Sequence, residues 1–345
     1  MKLGIGLACV VCALGLGTLG CSGEDDTSGG NGNGGSGNAG SGGSAGGANV
    51  GECVPTAAEC YVDGPTGPGA ECLAKVDNSK SDVWTGRFSF LKINKPAALA
   101  NQIVQEAVIN KGISLNQPDC KETGDGTFSW LLEFNSTTGK LKTGGGDPVT
   151  DPKAGGCFVS VPNANPALVV APVEVDVAVD AQGKFAATID SVVVPIFLDK
   201  EKTGVILLPL HGIAFDGQFS ADHNCVGRYN GDKFTKSNLC QPDTTLDETN
   251  WTTGGNLRGY ITVEEAEAVY IDDLSVSLCA QIAGKDWKGK PEGKCSETAA
   301  WQAGERPDGD WCAATNSPAT ASCKDAWELQ GGFAASAIKI NGDCQ

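Results

Sequence analysis

Cysteine is the reactive side chain this sequence uses most, with fifteen against two histidines in 345 residues. Three stand apart: Cys9 and Cys12 lie in an apolar stretch at the start, and Cys21 closes that stretch. The remaining twelve are Cys53, Cys60, Cys72, Cys120, Cys157, Cys225, Cys240, Cys279, Cys295, Cys312, Cys323 and Cys344. Zinc would need close pairs such as C-x-x-C, and these twelve have none. An even number of well-spaced cysteines is instead what an exported, oxidised domain carries, so all twelve are expected in disulfides. Connectivity is not readable from spacing. The grouping, five up to Cys157, two in the middle and five from Cys279, requires bridges that leave each terminal group.

The other chemistry-bearing residues form no constellation. His211 sits in the apolar run Val205–Phe215, where alternation places it with Leu207, Ile213 and Phe215 as a core histidine. His223 lies in the polar stretch Asp222-His223-Asn224, which offers too few ligands for a metal. Glu174 and Asp176 share one strand face about 7 Å apart by strand rise, as a solvated face would; a glycosidase needs two carboxylates facing one sugar bond. Asp308-Gly309-Asp310 and Gly124-Asp125-Gly126 lack the spaced oxygen ligands of a calcium loop. Gly144-Gly145-Gly146 is followed by Asp147-Pro148 and not by the Lys-Ser/Thr of a phosphate loop, so it is expected to be an ordinary loop. No serine elbow stands outside the Gly/Ser-rich stretch. The sequence assigns no catalytic residue, metal site or cofactor. Net charge −17, from 25 basic and 42 acidic residues, excludes nucleic acid as a partner.

Residues Leu3–Leu19 follow Met1-Lys2 without a charge and end at Thr18-Leu19-Gly20-Cys21. A basic start, a short apolar run broken by glycines and a small residue before cysteine read as a secretory signal and not a membrane span. The ending resembles the lipobox of bacterial lipoproteins. That resemblance implies cleavage after Gly20, acylation of Cys21 and membrane attachment through the lipid. Ser22 at the next position resembles outer-membrane sorting. Residues 22–50 are dominated by Gly, Ser and Asn, a composition that cannot offset its ordering entropy. As a coil they would reach roughly 30 Å. The organisation expected is a signal peptide over 1–20, an acylated cysteine and tether over 21–50, and one disulfide-rich domain over 51–345.

Within that domain the pattern is β-rich. Arg87–Ile93 reads as a strand, and Phe128–Phe134 with Lys140–Lys142 as a hairpin around Ser136–Gly139. Val173, Val175, Val177 and Val179 alternate with polar residues, a half-buried strand. The turn Ala181–Gly183 leads into Phe185, Ala187 and Ile189. Val192–Leu198 and Val205–Leu210 are dense enough to be central strands, and Asp216-Gly217 reads as a two-residue hairpin turn. Two amphipathic helices are expected. One starts at Pro96, carries a stripe through Leu99, Ile103 and Ala107 with the neighbouring Ala100, Val104 and Val108, and ends at Gly112. The other starts with a capping box at Thr262 and Glu265, runs through Ala266, Tyr270, Leu274, Leu278 and Ile282, and ends at Gly284. Phe333–Ile340 reads as a closing strand. The fold class is therefore α+β and β-rich: an antiparallel sheet or sandwich with about two helices and disulfide-stapled termini. The function expected first is non-enzymatic binding or an envelope role, with a protein or small apolar ligand as partner. A lipid or apolar-ligand carrier, its sheet wrapped around a helix, is the second reading, and a secreted hydrolase the third. An enclosed apolar cavity beside residues 263–283 would mark the carrier.

Overall fold

The computed structural model describes residues 60–63, 68–101, 103–244, 247–289 and 291–345. Cys21, Cys53 and the 22–50 tether lie outside the described residues. Eight antiparallel strands make the body: β1 (Val83–Lys95), β2 (Trp130–Asn135), β3 (Lys140–Gly145), β4 (Val173–Asp176), β5 (Lys184–Phe197), β6 (Val205–Gln218), β7 (Gly255–Thr262) and β8 (Ala326–Ser336). Their order is β4-β3-β2-β1-β8-β7-β6-β5. The sheet is not a sandwich. It curls until its two ends approach one another, giving a nearly closed barrel.

The triple glycine shows how closure works. Gly144 and Gly145 are strand residues of β3, contrary to the loop expectation. A side chain on Gly144 would lie 2.8 Å from the Pro172 backbone, and one on Gly145 would run into the Pro195 ring of β5. Glycine is what allows the two ends this close approach.

β5 is the last strand in the order, not a central one. Its run is nonetheless apolar on both faces because both are covered. Val192 and Val194 face the barrel interior, while Val193 and Phe197 pack with Leu207 against Val159 and Val170 outside. The Asp216-Gly217 turn does not form; β6 runs through both residues to Gln218. Gly217 serves packing, since a Cβ there would stand 2.8 Å from the Phe185 ring. The chain reverses instead between Phe197 and Val205. The closing strand starts earlier and ends sooner than expected, at Ala326 and Ser336.

Both expected helices are altered. The first is a π-helix over Ile103–Asn110, continued as one α turn over Lys111–Ile113. The second is two short helices, α1 (Val263–Ala268) and α2 (Leu278–Ala283), separated by the strand pair Tyr270–Ile271 and Val276–Ser277. The β-branched Val269, Ile271 and Val276 prefer extended backbone, and Ser277 begins a new helix by accepting the Ala280 amide. The Thr262–Glu265 capping box is present in full.

Disulfides join Cys60–Cys120, Cys72–Cys225, Cys157–Cys344, Cys279–Cys295 and Cys312–Cys323, and Cys240 is bridged as well. Cys157–Cys344 ties the chain's end to its first half. Beside Cys60–Cys120 a buried ion pair fixes the lead-in: Lys75 Nζ lies 2.5 Å from Glu122 Oε2, with both side chains almost fully buried. Burial raises the Glu122 pKa and lowers that of Lys75, each effect opposed by the partner charge.

Candidate ligand site

The barrel interior has two unlike halves. Where β1 begins and β6 ends, aromatic rings fill it. Trp84 packs on Phe134 and Phe219, and Phe185 packs on Phe219 and Phe215. The His223 ring stacks on Trp84 at 3.6 Å between centroids and 6° between planes. Burial lowers the His223 pKa, the nearby Asp222 opposing it. His223 is thus part of an aromatic plug.

The opposite half holds an apolar cavity of about 200 Å³. It is lined by inward side chains of seven barrel strands, among them Leu91, Trp130, Val194, Ile196, Leu208, Leu210, Ile213, Leu257 and Leu329, and by Phe128 just before β2. Eight strands enclose an interior just wide enough to be filled by side chains or to hold one small ligand. Here the plug follows the first course and the cavity the second. Two elements cover it. The strap, residues 96–113, contributes Leu99, Val104 and Ile109. The cap, residues 263–283, contributes Val269, Ile271 and Leu278. Leu99 and Val104 belong to the stripe read from sequence, whereas the side chains of Ile103, Ala107 and Val108 lie outside the described residues.

Each cover is fixed in its own way. Gln105 docks the strap on β1. Its amide donates to the Leu91 carbonyl and to Asn110 Oδ1, both at 2.7 Å, and its oxygen accepts the Ile93 amide at 2.9 Å. The cap is stapled by Cys279–Cys295. Within it, Glu267 accepts the Ser277 hydroxyl at 2.7 Å and the Cys295 and Ser296 amides at 3.0 Å.

His211 is a corrected expectation. It shares the outer face with Leu207, whereas Ile213 and Phe215 point inward. The alternation switches at Gly212, whose φ of 53° is left-handed. β5 switches face at the matching register, from Ile189 to Val192, so the pairing stays unbroken. Turned outward, His211 Nε2 meets Glu265 Oε1 at 2.7 Å, tying β6 to the first turn of α1. The hydrogen bond with Glu265 raises the His211 pKa against the effect of burial. Burial pushes the Glu265 carboxyl up, but hydrogen bonds from His211 and Thr262 hold it below its ordinary value.

The polar candidates do not converge. Asp176 pairs with Lys140 at 2.6 Å on an exposed face, and Glu174 lies opposite Lys142 on that strand pair. Asp308 pairs with Lys324, Asp125 pairs with Lys111, and Asp310 accepts the Glu328 amide. Among the described residues, each cluster of three possible metal ligands contains a disulfide pair. Those sulfurs are bridged and offer no thiolate.

The cavity itself had one sequence signal, the dense inward residues of 192–198 and 205–210. Empty space between such residues is a property of the whole barrel. No family model, curated protein or solved structure matches this chain.

Proposed function

We propose that this protein is an exported, lipid-anchored carrier that binds a small apolar molecule in its barrel. The cavity carries this reading. Ordinary cores contain few voids larger than a water, and an engineered cavity of ~150 Å³ with similar aliphatic and aromatic lining stays dry and binds benzene. Here about 200 Å³ is lined by apolar side chains except at Thr143 and Gln330. The carrier reading is therefore favoured over an envelope protein without a pocket and over a hydrolase, which needs convergent polar groups. No bond-making step is assigned. Attachment rests on the sequence: an uncharged run, Gly20 before Cys21, and a Gly/Ser/Asn tether that would hold the domain clear of an outer membrane.

The test is titration of the purified domain with 4-(dimethylamino)benzonitrile, a neutral one-ring fluorophore whose emission strengthens and shifts to shorter wavelength in apolar surroundings. Organic extracts of protein isolated from its own membrane are analysed by mass spectrometry alongside. Saturable one-site binding and a co-extracted apolar compound are expected. No saturable signal and no such compound would sink the proposal. The anchor is checked separately, since Cys21→Ala should abolish fatty-acid labelling.

A further inference from the structure

Resting on the carrier reading, we infer that the cavity takes an uncharged ligand about the size of a substituted benzene ring, and that it rejects carboxylates and other anions. Among the described residues, no Lys, Arg, His, Asp or Glu lines it. Thr143 has already committed its hydroxyl proton to the Leu131 carbonyl at 2.8 Å. Gln330 is uncharged and stands at the margin, where it also borders an outer groove with Asn256 and Arg258. An anion inside would lose its hydration and find no cation to replace it.

Cations nearby do not supply the lack: Arg258 follows the cavity-lining Leu257 on β7 and is exposed in the outer groove. Lys95, at the end of β1, is held 2.9 Å from Glu328, and Lys202, in the β5–β6 turn, 2.9 Å from Asp147. The chain's charge of −17 opposes anions at longer range. Size follows from volume. A ~150 Å³ cavity holds benzene, so about 200 Å³ has room for one ring with a short substituent. A compact ligand of that kind cannot leave a carboxylate outside in water, as a long-chain acid could.

The experiment is competition at pH 7 between 4-(dimethylamino)benzonitrile, a one-ring neutral fluorophore, and three probes: ethylbenzene, methyl benzoate and benzoate. Ethylbenzene and methyl benzoate should displace the fluorophore. Benzoate should bind at least about tenfold more weakly than its methyl ester. It should then tighten as pH is lowered through its own titration, where the acid becomes neutral. Benzoate within about threefold of the ester at pH 7 overturns the inference, as does fluorophore binding with no displacement by either neutral ring. In both cases the carrier reading stands. Failure of the fluorophore itself to bind takes both down.

Discussion

Replacing Leu208 by Phe should make the protein more stable and a worse binder. Leu208 is half-buried, lines the cavity, and touches both the barrel core and the cap core. Empty volume in a core costs roughly 24 cal/mol per Å³. A fully enclosed void of about 200 Å³ would then cost at most about 5 kcal/mol, a large share of an ordinary domain's net stability. A ring placed into that void recovers part of the cost, and cavity-filling changes commonly gain about 0.5–2 kcal/mol. It also occupies ligand space, so affinity for 4-(dimethylamino)benzonitrile should fall about tenfold, equivalent to roughly 1.4 kcal/mol. Linkage supplies a second readout. Ligand at about 100 times its Kd should add roughly 2.7 kcal/mol to wild-type stability. The variant, binding tenfold more weakly, should keep only about 1.4 kcal/mol of that increment at the same concentration. The assay is denaturant unfolding with and without fluorophore, together with direct titration. If Leu208 were ordinary core, Phe would overpack it and cost about 1–3 kcal/mol. A destabilised variant that binds as well as wild type would refute the placement of the void.

The His211–Glu265 pair makes stability depend on pH from two sides. The raised His211 value means its contribution is full below about 6.5 and disappears as pH rises through the folded value. The lowered Glu265 value means its contribution is present above about 4.5 and is lost as pH falls through the folded value. Thermal melts should therefore show the pair's largest effect between those limits. His211→Gln should flatten the alkaline side of the profile, and an unchanged slope there would count against the pair. Glu122→Gln should cost about 3–5 kcal/mol by leaving buried Lys75 without its counter-charge. The double variant Lys75→Met/Glu122→Leu should recover most of this, and denaturant midpoints that fail to recover would contradict the ion-pair account.

Sequence periodicity located most of the barrel because strand alternation is local. Trp130–Asn135 and Lys140–Gly145 pair around the expected turn, and Lys184 onward alternates as read. The capping box at Thr262 was equally legible, being a contact between residues three apart. The misreadings have separate causes. Gly144, Gly145 and Gly217 carry the composition of loops and turns but are strand residues, set there by rings and backbone distant in sequence. The turn of His211 to the outer face depends on left-handed backbone at Gly212, which one glycine in an apolar run does not announce. In the cap, helical periodicity lost to β-branched residues. The strap winds as a π-helix over Ile103–Asn110, a local winding that a 3.6-residue stripe does not distinguish from an α-helix.

The cavity and the staples belong to one energetic problem. A barrel that leaves half its interior open gives up packing there and must find stability elsewhere. In this fold the compensation is peripheral. The aromatic plug fills the other half, and five bridges among the described residues restrain the unfolded chain, each by about 2–4 kcal/mol. None of these bridges crosses the strap. The cap is held by Cys279–Cys295, the three hydrogen bonds to Glu267 and the His211 contact. The strap is held to β1 by the Gln105 amide and by apolar contact, to the cap by the Gln281 amide donating to the Ala98 carbonyl, and at its end by the Asp125 and Phe128 amides donating to the Lys111 and Gly112 carbonyls. Neutral hydrogen bonds contribute about 0.5–1.5 kcal/mol each, so lifting the part of the strap before Lys111 costs less than lifting a disulfide-closed cap. A filled cavity adds contacts to Leu99, Val104 and Ile109 and raises that cost. On the carrier reading proposed above, the same apolar surface that weakens the empty barrel would make strap closure depend on the ligand, as an occupied site must hold its content and an emptied one must be able to reopen.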